Sequence, residues 1–216
     1  MKRNFYVEFI GMPASGKSYY CKKIKKIFQK KKIATNDYNI LSKPKKIFFL
    51  IFFILKYTTY SIKIFNTFLN LDFSQREVRK HFYYFINEAS LRIYHELNKN
   101  LVINSEGFRY RSLFNIICHT NKKKKRYISQ LINSQPKVHL LIIIKSKKKI
   151  NLERSKNRKK GYKYSNQEQK MYEKNEKIIM QICEESSKKS SIINITKKNE
   201  KKDLKKIVNE IKKFYE

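Results

Sequence analysis

The sequence predicts one α/β domain in which helices cover both faces of a parallel sheet. Short apolar stretches alternate with helical stretches along the chain, which is the pattern of a parallel sheet. The length of 216 residues and the mass of 26.2 kDa fit a single domain. Hydrophobic residues make up 41% of the chain and include enough aromatic residues to form a sizeable core. Glycine (4 residues) and proline (3 residues) are too scarce for a collagen-like or low-complexity chain.

The strands and helices are predicted from apolar runs and from helical spacing. The predicted strands are 5–10, 33–35, 101–103, 138–144 and 191–196. The predicted helices are 17–32, a long helix ending near residue 97, then segments within 112–132, 147–158, 167–186 and 201–214. Ser74 and Glu77 have capping-box spacing and are expected to start the long helix. Glu8 interrupts the first strand, where we expect it to be a buried partner of a basic residue.

Residues 39–100 are predicted to form a helical insertion within the domain. Its most apolar part is the uninterrupted run Ile47–Leu55, which is flanked by lysines. This run is shorter than the roughly 20 apolar residues that a membrane span needs. We therefore expect a buried helix, and a helix that lies on a membrane surface stays open as an alternative.

The chain is strongly basic, with 51 Lys and Arg against 17 Asp and Glu and a formal net charge of +34. Such a surface attracts nucleotides, nucleic acids and anionic lipids, although codon usage in an A+T-rich genome favours the same composition. No helix-turn-helix, zinc-finger or RNP-type signature is present, so we expect no sequence-specific binding of nucleic acid. The cysteines Cys21, Cys118 and Cys183 are scattered, which is typical of reduced cysteines in a cytosolic protein. The first residues lack the apolar segment of a secretory signal.

One motif carries most of the functional information. It fits the pattern G-x-x-x-x-G-K-[ST] and consists of Gly11, Met12, Pro13, Ala14, Ser15, Gly16, Lys17 and Ser18. In such a loop the glycines let backbone N–H groups wrap around phosphate oxygens, and the following helix directs its positive end at them. Lys17 is expected to reach the β- and γ-phosphates, and the Ser18 hydroxyl to bind Mg²⁺. Given the scarcity of glycine in this chain, a chance match has a probability of about two in a thousand.

A second group of candidates follows the strand 101–103. Glu106, Gly107, Phe108 and Arg109 stand at its carboxyl end, where doubly wound sheets bind ligands. Together with the phosphate loop, this stretch resembles the P-loop small-molecule kinases, the nucleoside and nucleotide kinases. Adenylate kinases have Asp-Gly-Phe-Pro-Arg at a similar point, whereas this chain has Glu106 for the Asp and no proline before Arg109. The resemblance implies that Glu106 joins Ser18 around Mg²⁺ and that Arg109 binds substrate, with Arg111 as a competing candidate.

The same resemblance implies a P-loop NTPase fold with a lid over residues 154–166. The basic stretch Glu153–Gly161 matches the arginine-bearing helix that precedes such a lid. Arg154 and Arg158 would then stabilise the charge of the transferring phosphoryl group, and a solvated basic face is the alternative. Asp37 stands where related kinases carry an acceptor-binding or base carboxylate, and a turn or N-cap Asp is the alternative.

These residues predict a kinase that transfers the γ-phosphoryl group of ATP, with Mg²⁺, to a nucleoside, a nucleotide or a sugar-like metabolite. We expect a cytoplasmic protein. Two alternatives remain open: a nucleotide-binding switch without kinase turnover, and a membrane-surface protein of glycan or lipid metabolism that contacts the membrane through residues 47–55.

Overall fold

The computed structural model describes residues 4–12, 14–28, 33–34, 40–98, 100–118, 124–157, 166–188, 190–196 and 199–215. Its strands are β1 (Phe5–Gly11), β2 (Ile33–Ala34), β3 (Leu101–Asn104), β4 (Leu140–Ile144) and β5 (Ser191–Ile195). The helices are α1 (Lys17–Ile27), α2 (Lys43–Lys56), α3 (Thr58–Leu69), α4 (Arg76–Leu97), α5 (Phe108–Cys118), α6 (Lys124–Ser134), α7 (Lys148–Lys156), α8 (Asn166–Ser187) and α9 (Glu200–Tyr215). The predicted alternation of strands and helices is confirmed.

The five strands form one parallel sheet in the order β2-β3-β1-β4-β5. Strand β1 lies in the middle, so the loop that follows it leaves the sheet beside the carboxyl ends of both β3 and β4. Gly11 at the end of β1 pairs with Ile144 of β4, and Glu8 pairs with Asn104 of β3. This is the edge where parallel α/β sheets bind ligands.

Side-chain alternation along the strands gives the sheet two apolar faces. Phe5, Val7 and Phe9 point to the face covered by α1 and α9, where they pack with Tyr20, Ile24, Ile207 and Ile211. Ile10 points to the opposite face and packs with residues of the helices α2 to α6 and α8. Glu8 has the same parity as Ile10, and it is therefore buried on the face that carries the helical insertion.

The insertion consists of α2, α3 and α4, with α2 packed along α4. Phe53 of α2 is fully buried, and its ring stacks on that of Phe108 with a centroid distance of 5.6 Å. The chain bends by 110° between α2 and α3. The prediction of one buried helix around 47–55 is wrong in part, because five large apolar side chains of α2 are exposed: Ile47, Phe48, Ile51, Phe52 and Leu55.

Two further details differ from the sequence predictions. Helix α4 begins at Arg76 without a side-chain cap, because the Ser74 hydroxyl donates to the Asp72 carboxylate instead. The segment predicted as a helix within 112–132 contains two helices, α5 and α6, with residues 119–123 outside the described part of the chain.

Candidate active site

The phosphate loop turns sharply between β1 and α1, and its backbone requires small residues at fixed points. Gly11 has a φ of 155° and Gly16 a φ of 96°. A Cβ atom on Gly11 would lie 2.7 Å from the carbonyl oxygen of Ile144 and 2.9 Å from Ser15 Oγ. Ala14 also has a positive φ of 60°, a conformation that is uncommon for a residue with a side chain. The loop is therefore close-packed against the end of β4.

Lys17 lies under this loop with its amine directed back at the loop backbone. The side chain is buried, and Nζ donates to the carbonyl oxygens of Gly11 at 3.0 Å and Met12 at 3.2 Å. The same amine is 4.2 Å from the centre of the Tyr110 ring. These contacts hold the Lys17 amine at the N-terminus of α1, where phosphate oxygens are expected to bind.

The N-terminus of α1 favours an anion. Across the described residues, no acidic side chain lies in the first turn of α1 and no side chain forms a cap hydrogen bond there. The first N–H groups of a helix have no partner within the helix and carry partial positive charge. Ser18 is exposed in this first turn, so its hydroxyl is accessible to a bound group.

A buried carboxylate connects β1 to the start of α5. Glu8 Oε1 accepts a hydrogen bond from the Phe108 N–H, and Oε2 accepts one from the Arg109 N–H, both at 3.0 Å. Burial raises the pKa of Glu8, whereas the nearby Arg109 and these two N–H donors act in the opposite direction. The glycine before these donors leaves the room that the carboxylate needs, because a Cβ on Gly107 would overlap Cδ and Oε1 of Glu8.

The hydrogen bonds between Glu8 and the start of α5 place the loop that contains Glu106 close to the phosphate loop. Glu106 is half-buried directly after β3, and its N–H donates to Asn104 Oδ1 at 3.1 Å. Four residues later, Tyr110 contacts Lys17. The carboxylate of Glu106 and the hydroxyl of Ser18 offer the oxygen ligands that Mg²⁺ prefers. The described residues contain no group of three or more His, Cys, Asp or Glu side chains that forms a metal site by itself.

The two arginines after Glu106 occupy different environments. Arg109 is only 1% exposed, and its guanidinium donates to the Ile132 carbonyl oxygen at 3.1 Å and to Gln135 Oε1. Burial lowers its pKa. This placement speaks against direct substrate contact by Arg109, because its side chain reaches almost no solvent. Arg111 is half-buried, with Nε 3.6 Å from Glu88 Oε1 and Cζ 4.3 Å from the Tyr84 ring centre.

The remaining predicted residues are only partly described. Arg154 is exposed on α7. Pro13, Asp37, Arg158 and most of the predicted lid, residues 158–165, lie outside the described part of the chain. Their predicted roles stay predictions.

The structure adds residues that the sequence patterns did not single out. Tyr110 contacts Lys17, and Glu88 of α4 accepts a hydrogen bond from Asn104 Nδ2 at 3.2 Å. A small crevice lies between β1, β3 and α4. Its polar lining consists of Tyr6, Glu8, Glu88, Arg92, His95 and Asn104. The side chains of β1 alternate between the two faces of the sheet, which predicts the face on which Glu8 lies. No residue near Glu8 in the sequence indicates that its carboxylate binds the backbone N–H groups at the start of α5.

Comparisons with known proteins support the fold. No protein-family model matches the chain, and no curated protein matches it in sequence. The chain is similar to the solved structure of deoxyadenosine kinase from M. mycoides with bound dCTP. The TM-score is 0.51 at 13% identity, over 96% of this chain and 98% of that one. The chain therefore has the fold of the P-loop nucleoside kinases, and the resemblance predicted from the sequence is confirmed at the level of the fold.

Proposed function

We propose that the protein is an ATP-dependent phosphotransferase acting on a small-molecule acceptor. The observation that carries this proposal is the buried amine of Lys17, held at 3.0 Å by the Gly11 carbonyl beneath an uncapped helix N-terminus. A fixed cation beside the N-terminus of a helix is the arrangement that binds a triphosphate.

Each predicted site residue except Arg109 then has a chemical role. Lys17 and N–H groups of the phosphate loop bind the phosphates of the nucleotide, and Lys17 reaches the β- and γ-phosphates. Ser18 and Glu106 hold Mg²⁺, which neutralises charge on the phosphates when bound. Arg154 and Arg158 stabilise the transferring group from the lid, and Asp37 orients or deprotonates the acceptor hydroxyl.

The fixed position of the loop that contains Glu106 favours phosphoryl transfer over nucleotide binding alone. Glu8 accepts two buried hydrogen bonds that hold the start of α5 against β1, so the loop that contains Glu106 keeps a fixed position beside the proposed phosphate site. Fixed geometry of this kind lowers the barrier of a transfer reaction, since little reorganisation remains when the substrates bind.

The acceptor carries a hydroxyl or phosphate and belongs to the nucleosides, nucleotides or sugar-like metabolites. Nucleosides come first, because the similar solved structure is a deoxyadenosine kinase. The helical insertion α2 to α4 supplies the acceptor side of the site, and its polar residues next to β3 include Glu88.

An acceptor screen tests the proposal. Purified protein is incubated with Mg·ATP and pooled nucleosides, nucleotides and sugars, and products are read by mass spectrometry. We expect one acceptor to gain a phosphate with the wild type and with Lys22→Ala, an exposed lysine of α1, but not with Lys17→Ala. ATP binding without transfer to any acceptor would favour the nucleotide-binding switch instead.

A further inference from the structure

The helix α2 has an outer face that is apolar and uncovered. Its five large side chains are Ile47, Phe48, Ile51, Phe52 and Leu55, here called the α2 outer face, and they are 61%, 55%, 52%, 48% and 70% exposed. They are spaced one, three and four residues apart, so they share one side of the helix. Large apolar side chains clustered on one surface mark a site of interaction.

The inner face of the same helix is firmly packed. Phe53 is fully buried among the rings of Tyr57, Tyr60, Phe85 and Phe108. At the N-terminal end, the Ser90 hydroxyl of α4 donates to the Lys46 carbonyl oxygen at 2.8 Å. The helix is therefore formed and fixed before any partner binds, and its outer face is presented as a rigid surface.

Positive charge surrounds this face. Lys43 and Lys45 are exposed and Lys46 is half-exposed at the start of α2, and Lys56 is exposed at its end. Of these, Lys56 pairs with Glu96 at 2.8 Å. The whole chain carries a net charge of +34. This charge attracts anionic lipid headgroups and repels a second copy of the same chain.

Length and shape favour a contact that lies on a membrane over one that crosses it. Among the described residues, no single helix is long and apolar enough to span a bilayer, and the pair α2 and α3 passes that test only together across a 110° bend. A helix with apolar and aromatic residues on one side and lysines at its ends is suited to the interface between headgroups and acyl chains.

We propose that the α2 outer face docks the protein on an anionic membrane surface. The phenylalanine, isoleucine and leucine side chains enter the acyl boundary, and the lysines at the ends of α2 contact anionic headgroups. This binding is separate from the nucleotide site, so it is measured without ATP.

Tryptophan fluorescence and vesicle sedimentation test the proposal. The chain contains no tryptophan, so Phe52→Trp introduces a single reporter on the α2 outer face. Ile27→Trp is the control, because Ile27 is 53% exposed at the end of α1, on the opposite face of the sheet. We expect a blue shift of Phe52→Trp emission with phosphatidylglycerol–phosphatidylcholine vesicles, and no shift with phosphatidylcholine alone or for Ile27→Trp.

Sedimentation separates apolar docking from adsorption by charge. We expect Phe48→Ser/Phe52→Ser to lose binding to anionic vesicles by at least about tenfold, while Ile27→Ser binds like the wild type. Thermal unfolding checks that both variants are folded.

Three results would overturn the proposal. They are no wild-type binding at low salt, unchanged binding by Phe48→Ser/Phe52→Ser, and a concentration-dependent dimer that these substitutions abolish. The last result would mean that a second copy covers the face.

Discussion

Gly107 lies against the buried side chain of Glu8, and this contact predicts how Gly107→Ala changes the free energy of unfolding. Gly107 does not have a left-handed φ, so its backbone alone would accept alanine. The obstacle is the Glu8 side chain, because an added Cβ would overlap its Cδ and Oε1 and lie 2.6 Å from its Cγ. Gly107→Ala therefore forces the carboxylate away from the N-terminus of α5.

The expected cost follows from the hydrogen bonds that are lost. Glu8 accepts two N–H bonds at 3.0 Å and is only 3% exposed. A hydrogen bond contributes about 0.5–1.5 kcal/mol to stability, and up to about 3 kcal/mol when one partner is charged, so losing both costs about 1–6 kcal/mol. The lower entropy of the unfolded alanine chain offsets less than about 1 kcal/mol of this loss. Typical domains have a total unfolding free energy of about 5–15 kcal/mol, so the effect is large.

A double-mutant cycle by urea denaturation tests this cause. Glu8→Ala removes the side chain that the added Cβ would meet, so adding Gly107→Ala to Glu8→Ala should cost almost nothing further. We expect a coupling free energy close to the whole cost of Gly107→Ala alone. A cost of Gly107→Ala below about 1 kcal/mol, or one that adds fully to that of Glu8→Ala, would refute the reasoning.

Two further predictions concern a buried histidine and Ser18, the proposed metal ligand. His95 is 2% exposed, and burial lowers its pKa from 6.5 to about 4. Between these two pH values, the imidazole binds a proton in the unfolded chain but not in the folded protein. The free energy of unfolding therefore falls as the pH drops below 6.5, and His95 alone accounts for about 2 kcal/mol of this fall between pH 7.5 and pH 5. We expect His95→Gln to reduce the fall that urea denaturation measures. An unchanged pH dependence of stability in His95→Gln would contradict the prediction. Ser18→Ala should weaken Mg·ATP binding by roughly tenfold and leave the binding of metal-free ATP unchanged. Ser18→Thr keeps the hydroxyl and should retain the wild-type affinity. Equal losses with and without Mg²⁺ in a calorimetric titration would rule out the metal role of Ser18.

The parts of the fold that sequence reasoning identified are those with local signals. The buried strands are continuous apolar runs, and the phosphate loop has fixed residues within eight positions of the chain. The strand, loop and helix of the motif lie next to one another in sequence, so no long-range contact was needed to predict Lys17 and Ser18 together.

The parts that it missed depend on distant contacts. Glu8 and the N–H group of Arg109 are 101 residues apart, and nothing near either residue indicates that they meet. The resemblance to the P-loop kinases implied that Arg109 binds substrate, whereas its buried guanidinium donates to Gln135 Oε1 and to the Ile132 carbonyl oxygen inside the protein. The break between α2 and α3 falls at Tyr57, where neither glycine nor proline marks the end of a helix.

The proposed nucleotide site at residues 11–18 is tested most directly by calorimetric titration of ATP with Mg²⁺ into the wild type, Lys17→Ala and Lys22→Ala. Removing the fixed cation should raise the Kd by at least about thirtyfold, or ~2 kcal/mol, in Lys17→Ala. Lys22→Ala should match the wild type, because Lys22 is exposed on α1 outside the loop. Equal ATP affinity in all three proteins, or no binding by the wild type, would contradict a triphosphate site built around Lys17.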